Sequence, residues 1–127
     1  MDKLTAEQIE EMAVEIRGFL LKEMMWIDVD IYFNGKRFST YDRKNWRNYY
    51  NDAGHLLVEE NVDPREYLEY AAEKHILSMA FEGPLYSMMN GMERTEERRV
   101  FDRIFEKRGL YYELGDNWNF TCYPIAG

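Results

Sequence analysis

The run DVDIYFNGKRFSTYD, residues 28–42, decides the fold class of this chain. Together with Ile27 just ahead of it, Val29, Ile31 and Phe33 alternate with Asp28, Asp30 and Tyr32, the period of two of a strand with one buried face. Asn34-Gly35 follows, the pair that best tolerates the positive φ angles needed at both central residues of a type I′ turn. A two-residue turn there pairs Phe33 with Lys36, Ile31 with Phe38 and Val29 with Thr40, so Phe38 joins Ile31 on the core face. Tyr32 and Arg37 then pair on the opposite face, and Asp30 meets Ser39. Side-chain pattern and turn chemistry demand the same register.

Upstream, Thr5-Ala6-Glu7-Gln8 has the form of a capping box, and Ile9, Met12, Ala13, Ile16, Phe19, Leu20 and Met24 recur at spacings of three and four. This predicts a helix ending near Met25. Downstream, residues 42–54 fit either a helical turn around Trp46, Tyr49 and Tyr50 or an interrupted strand, and His55–Glu59 fits a strand. Asp63 as N-cap, Pro64 at N1 and Glu66 at N3 predict a second helix, running to Glu82 and stopped by Gly83-Pro84. Its buried side would carry Leu68, Ala71, Ala72, Ile76, Met79 and His75. One or two helical turns follow over Leu85–Asn90. A third full helix begins after Thr95 with Val100, Phe101, Ile104 and Phe105 inward, closed by Gly109 with Leu110 beyond it. A hairpin of Leu110–Leu114 and Trp118–Tyr123 ends the chain. The order implies an α+β fold, a single domain over residues 1–127, with an antiparallel sheet of four to five strands and about three helices packed on it.

Composition narrows the function. The chain has 127 residues with 7 Phe, 10 Tyr, 3 Trp and 8 Met, enough bulky apolar volume to exclude disorder. No apolar run approaches the roughly 20 residues of a membrane helix, and Met1-Asp2-Lys3 before a polar helix does not resemble a leader, so the expectation is a soluble cytoplasmic protein. Cys122 is the single cysteine and reads as a core residue. His55 and His75 form no metal-ligand spacing, and no phosphate loop or nucleophile elbow is present; neither cofactor nor metal is expected, and the chain reads as a non-enzyme. Asp28 and Asp30, with Asp52 or Glu59, could hold a divalent ion only if the outer sheet face were organised for it.

Charge is −8 overall but is unevenly placed: residues 1–35 carry −5, 36–51 carry +4 and 52–82 carry −6. Two acidic blocks thus flank a basic one. The acidic candidates for partner contact are Glu7, Glu10, Glu11 and Glu15 on the first helix and Glu59, Glu60, Asp63, Glu66, Glu69 and Glu73 around the second. An acidic total disfavours direct nucleic-acid binding, which depends on Lys and Arg neutralising phosphates, and favours a protein partner with a basic surface. The basic stretch offers the alternative: Lys36, Arg37, Lys44 and Arg47, interleaved with Trp46, Tyr49 and Tyr50, form an aromatic-basic surface suited to a nucleotide or nucleic acid, or to a protein. A small enzyme using His55, His75 and nearby carboxylates is the third class.

As a whole, the acidic first helix, DVDIYFNGKRFSTYD, ILSMAFEGPLYSMMNG (76–91) and FEKRGLYYELGDNW (105–118) resemble the small accessory proteins of Gram-positive phages and conjugative elements. Some of these are anti-CRISPR or anti-restriction inhibitors. The resemblance implies a non-enzymatic inhibitor that occludes a basic nucleic-acid channel of a host defence protein, and it transfers no residue role.

Overall fold

The computed structural model describes residues 3–68, 75–91 and 94–125. Helix α1 spans Ala6–Lys22, α2 spans Gly83–Met89 and α3 spans Thr95–Glu106. The strands are β1 Val29–Phe33, β2 Lys36–Ser39, β3 Tyr41–Asp42, β4 Arg47–Asn48, β5 Leu57–Glu59, β6 Ser78–Phe81, β7 Leu110–Leu114 and β8 Asn119–Pro124. Six of them form one antiparallel sheet in the order β5-β2-β1-β6-β8-β7, and β3 and β4 form a separate ribbon. The fold is α+β as the sequence predicts, with a larger sheet than four to five strands.

The hairpin adopts the expected register, Ile31 opposite Phe38 and Tyr32 opposite Arg37, and Asn34 and Gly35 have φ of 49° and 72°. The capping box closes both ways, Gln8 N to Thr5 Oγ1 at 3.1 Å and Thr5 N to Gln8 Oε1 at 2.8 Å. Helix α1 stops at Lys22, short of Met25. Met24 turns left-handed at φ 58°, Met25 N bonds Leu20 O, and the reversal buries Met25 and Trp26 while leaving Met24 exposed.

The predicted helix from Asp63 to Glu82 is corrected. Asp63 does cap a turn, with Pro64 at N1, but the turn is a 3₁₀ segment of Pro64–Glu66. Residues 69–74, which include Glu69, Ala71, Ala72 and Glu73, lie outside the described residues. Ser78–Phe81 is a strand between β1 and β8, and Gly83-Pro84 starts α2 rather than ending a helix. Two partner strands satisfy both backbone edges of β6, and tertiary pairing overrides a helical spacing of Ile76 and Met79 that a short apolar run cannot distinguish from alternation.

One sheet face carries Val29, Ile31, Phe33, Phe38, Met79, Phe81, Phe120 and Cys122, which pack with Met12, Ile16 and Leu20 of α1, Leu85 and Met88 of α2 and Phe101, Ile104 and Phe105 of α3. Val100, predicted to face inward, is exposed. The other face is polar yet also covered: Tyr32, Arg37, Ser39, Ser78, Asn119 and Thr121 are all buried. No helix among the described residues is long and apolar enough to cross a membrane.

Candidate functional site

The ambiguous stretch 42–54 is an arm. Strands β3 and β4 pair Tyr41 with Asn48 and Asp42 with Arg47, and the loop between them is tied by Asp42, whose Oδ1 accepts from Lys44 N at 2.9 Å and Asn45 N at 3.2 Å. These bonds hold the Asp42 carboxyl below its usual range, the side-chain bond from Asn45 foremost. Trp46 ends the loop at φ 55° with 79% of its surface exposed. Lys44 and Arg47 flank it, both exposed and without an ion pair among the described residues.

The base of this arm is clamped. Asn51 bonds the 24–26 segment three ways: its N–H to Trp26 O at 2.9 Å, its Oδ1 from Trp26 N at 3.0 Å, and its Nδ2 to Met24 O at 3.4 Å. Tyr49 N reaches Thr40 O at 2.7 Å. The Tyr50 hydroxyl donates to Asp28 Oδ1 at 2.6 Å, a bond that pushes the phenol pKa up to about 12. Arg17 of α1 lies over the Trp26 ring at 5.6 Å and donates to Asp52 O at 3.3 Å. Tyr49 stacks on His55 at 4.3 Å, and His55 Nδ1 meets Asp52 Oδ2 at 2.6 Å. Met24, Asp28, Trp46 and Asn51 all have φ between 50° and 58°. A left-handed conformation costs a bulky non-glycine residue such as Met24 or Trp46 roughly 1–2 kcal/mol, whereas Asp and Asn adopt it readily.

The polar face of the sheet is built around Arg37, a residue only 1% exposed. It grips Glu59 through two bonds of 2.9 and 2.6 Å and lies 4.5 Å from the Tyr67 ring centroid and 5.6 Å from that of Tyr32. Burial would pull its pKa down, but the bonds to Glu59 and to the Tyr32 hydroxyl hold it above the ordinary arginine value. Burial, with the charge of Asp30, pushes Tyr32 up to about 12, and burial raises Asp30 itself despite Arg43 at 3.5 Å. Farther along the row, His75 Nδ1 contacts Ser78 Oγ at 3.0 Å and Ser78 Oγ bonds Thr121 Oγ1 at 2.8 Å. Burial lowers the His75 pKa, opposed by Asp63. Ser78 is completely enclosed, so this pair satisfies buried polar atoms and offers no surface to a substrate.

The sequence candidates therefore divide. Lys44, Trp46, Arg47 and Tyr50 share the arm, Tyr49 braces its base, and Arg37 is buried on β2, one strand in from the sheet edge. Lys36 sits elsewhere, held by Glu10 at 3.3 Å and near Glu60 at 3.9 Å. Among the acids, Glu15 binds Lys107 and Arg108, Glu59 binds Arg37 and Arg43, and Asp63 binds Arg65. Glu7, Glu11 and Glu66 are exposed. Sequence reasoning missed Arg17 and Asn51 as the clamp and Tyr67 as a wall for Arg37. A cleft of about 320 Å³ separates the arm from Trp118 and includes Asp28, Asp30, Tyr41 and Glu82. No group of three or more His, Cys, Asp or Glu among the described residues could hold a metal ion.

No family model, curated protein or solved structure matches this chain.

Proposed function

We propose that this chain is a non-enzymatic binding protein that docks on a cytoplasmic protein partner through the 41–50 arm, with Trp46 as anchor and Lys44 and Arg47 beside it. One observation carries the reading: a tryptophan 79% exposed, in a left-handed conformation, at the tip of an arm clamped at its base. Trp, Tyr and Arg dominate interface hot spots, and a contact held rigid before binding loses little entropy on association. The resemblance to mobile-element inhibitors gives such docking its role, occlusion of a host defence protein that handles nucleic acid.

A second reading, contact through the acidic faces, is favoured by Glu7 and Glu11, which stand exposed on α1 beside Glu10. It is weakened by the internal ion pairs that already occupy Glu10, Glu15, Glu59 and Asp63.

A photo-crosslinking residue placed at position 46 and, separately, at position 11 distinguishes the two in host lysate. Specific capture from position 46 supports the arm, capture from position 11 alone supports the acidic face, and a nucleic-acid adduct at 46 supports the aromatic-basic module instead. Trp46→Gly supplies the matching perturbation. It should weaken partner binding by at least about tenfold while raising stability by about 0.5–1 kcal/mol, because glycine meets the left-handed turn without strain.

A further inference from the structure

We infer that strand β7 is a homodimer interface, through which two copies of this chain join their sheets antiparallel across a two-fold axis. This stands independently of the arm. Strand β7 is the last in the sheet order, and the bonds Gly115 N to Asn119 O and Ile125 N to Gly109 O fix which of its residues face β8. Hydrogen-bonded pairs alternate along an antiparallel ladder, so residues 109, 111, 113 and 115 direct their main-chain groups to β8. Leu110, Tyr112 and Leu114 turn theirs outward.

Open edges are usually blunted by lysine, proline, a bulge or very short length. β7 has no lysine, proline or bulge and a single charge, Glu113: it is Leu-Tyr-Tyr-Glu-Leu, paired over all five residues, with Tyr111 and Leu114 each 41% exposed. The opposite edge, β5, has only three residues.

The second copy is the occupant that fits. A two-fold axis at Tyr112 sets Tyr112 against its own counterpart and Leu110 against Leu114 of the other copy, so every outward N–H and C=O of these residues meets one. On the polar face Tyr111 then lies opposite Glu113 of the other copy; the same hydroxyl–carboxylate bond, 3.2 Å, already forms within one chain. On the helical face, Tyr112 donates its hydroxyl to Asp102 of α3, and Arg98, Asp102 and Glu106 line a common pocket with Leu110 and Tyr112. That axis brings the two α3 helices together antiparallel, with Arg98 facing Glu106 of the other copy, twice. The eight-residue step from 98 to 106 covers about 12 Å of helix, and β7 covers about 13 Å, so one register satisfies both layers. Neither Arg98 nor Glu106 makes an ion pair among the described residues. An unrelated peptide could satisfy the strand but would not carry this charge order.

Sedimentation of the whole chain from about 1 µM to about 1 mM should show a concentration-dependent dimer. Leu114→Pro removes an outward N–H that β8 does not use and should abolish the dimer while the circular dichroism spectrum persists. Leu114→Lys is the second variant, should the proline disturb folding. Arg98→Glu should raise the dimer dissociation constant about tenfold, and combining it with Glu106→Arg should restore it, since the two positions are too far apart within one helix to rescue each other. A monomer throughout the concentration range overturns the inference. So does a dimer indifferent to both Leu114 variants, or an Arg98→Glu defect that the paired reversal leaves uncorrected.

Discussion

Replacing Glu59 by glutamine tests whether the buried arginine organises the polar sheet face. The substitution keeps the shape but removes the charge that receives two hydrogen bonds from Arg37. Breaking a buried pair by deleting one partner costs about 3–5 kcal/mol, because the remaining charge stays desolvated. Three features reduce that figure here. The Glu59 side chain is 31% exposed, glutamine still accepts one bond, and Arg37 keeps its contacts with Tyr32 and Tyr67. The expected loss is about 2.5 kcal/mol. With an unfolding entropy of about 2.1 cal/mol/K per residue, a chain of 127 residues has about 0.27 kcal/mol/K. The melting temperature should fall by about 9 °C in calorimetry. Adding Arg37→Met should recover most of it, since methionine fills the slot between the two tyrosines and the buried guanidinium is gone; the double variant should lie within about 1 kcal/mol of the parent. A drop under about 3 °C for Glu59→Gln, or a double variant at the sum of the singles, would refute the reasoning.

Gly35→Val should cost about 1–2 kcal/mol, or roughly 4–7 °C, from backbone strain alone, because φ is 72° and no atom lies within 4 Å of the added Cβ; an unchanged melting temperature would remove the turn assignment. His75 has a folded pKa below its unfolded value, so its neutral form favours the fold. That contribution is complete above about pH 6.5 and fades as pH falls through the lowered folded value, so denaturant midpoints should decline over this window and His75→Gln should flatten the decline. Identical pH profiles for the two proteins would count against it.

What the sequence disclosed was local. Asn34-Gly35 fixed a register because turn chemistry and alternation agree, Thr5 and Gln8 marked a helix start, and Gly109 closed α3 at φ 74°. What it concealed was set by distant partners. Leu77, Met79 and Phe81 alternate correctly for a strand, but their place between β1 and β8 depends on residues about 50 positions before them and about 40 after. The arm was hidden for the same reason: Arg17 and Asn51 clamp it across gaps of 35 and 25 residues, and no local pattern announces such bonds. The acidic blocks were legible as charge but not as contacts, because a linear count cannot show that Glu15 is already claimed by Lys107 and Arg108.

Met24 and Trp46 separate strain that serves the fold from strain that does not. Both are bulky residues with positive φ and large exposure, 61% and 79%. Met24 occupies the position where a helix commonly reverses through a left-handed residue, and the reversal encloses Met25 and Trp26, so the fold gains from that backbone conformation whatever side chain is there. Trp46 also sits where a short hairpin loop asks for a left-handed residue, a place glycine or asparagine fills at least cost. Its indole ring returns almost no packing, and apolar surface of that size left in water forgoes roughly 25 cal/mol for each Å² unburied. Folding therefore supplies a reason for the backbone at position 46 and none for the tryptophan. A departure from local rules that the fold does not recover is where function is to be sought, and in this chain it falls at the end of a loop clamped at its base, between Lys44 and Arg47, neither of which makes an ion pair among the described residues.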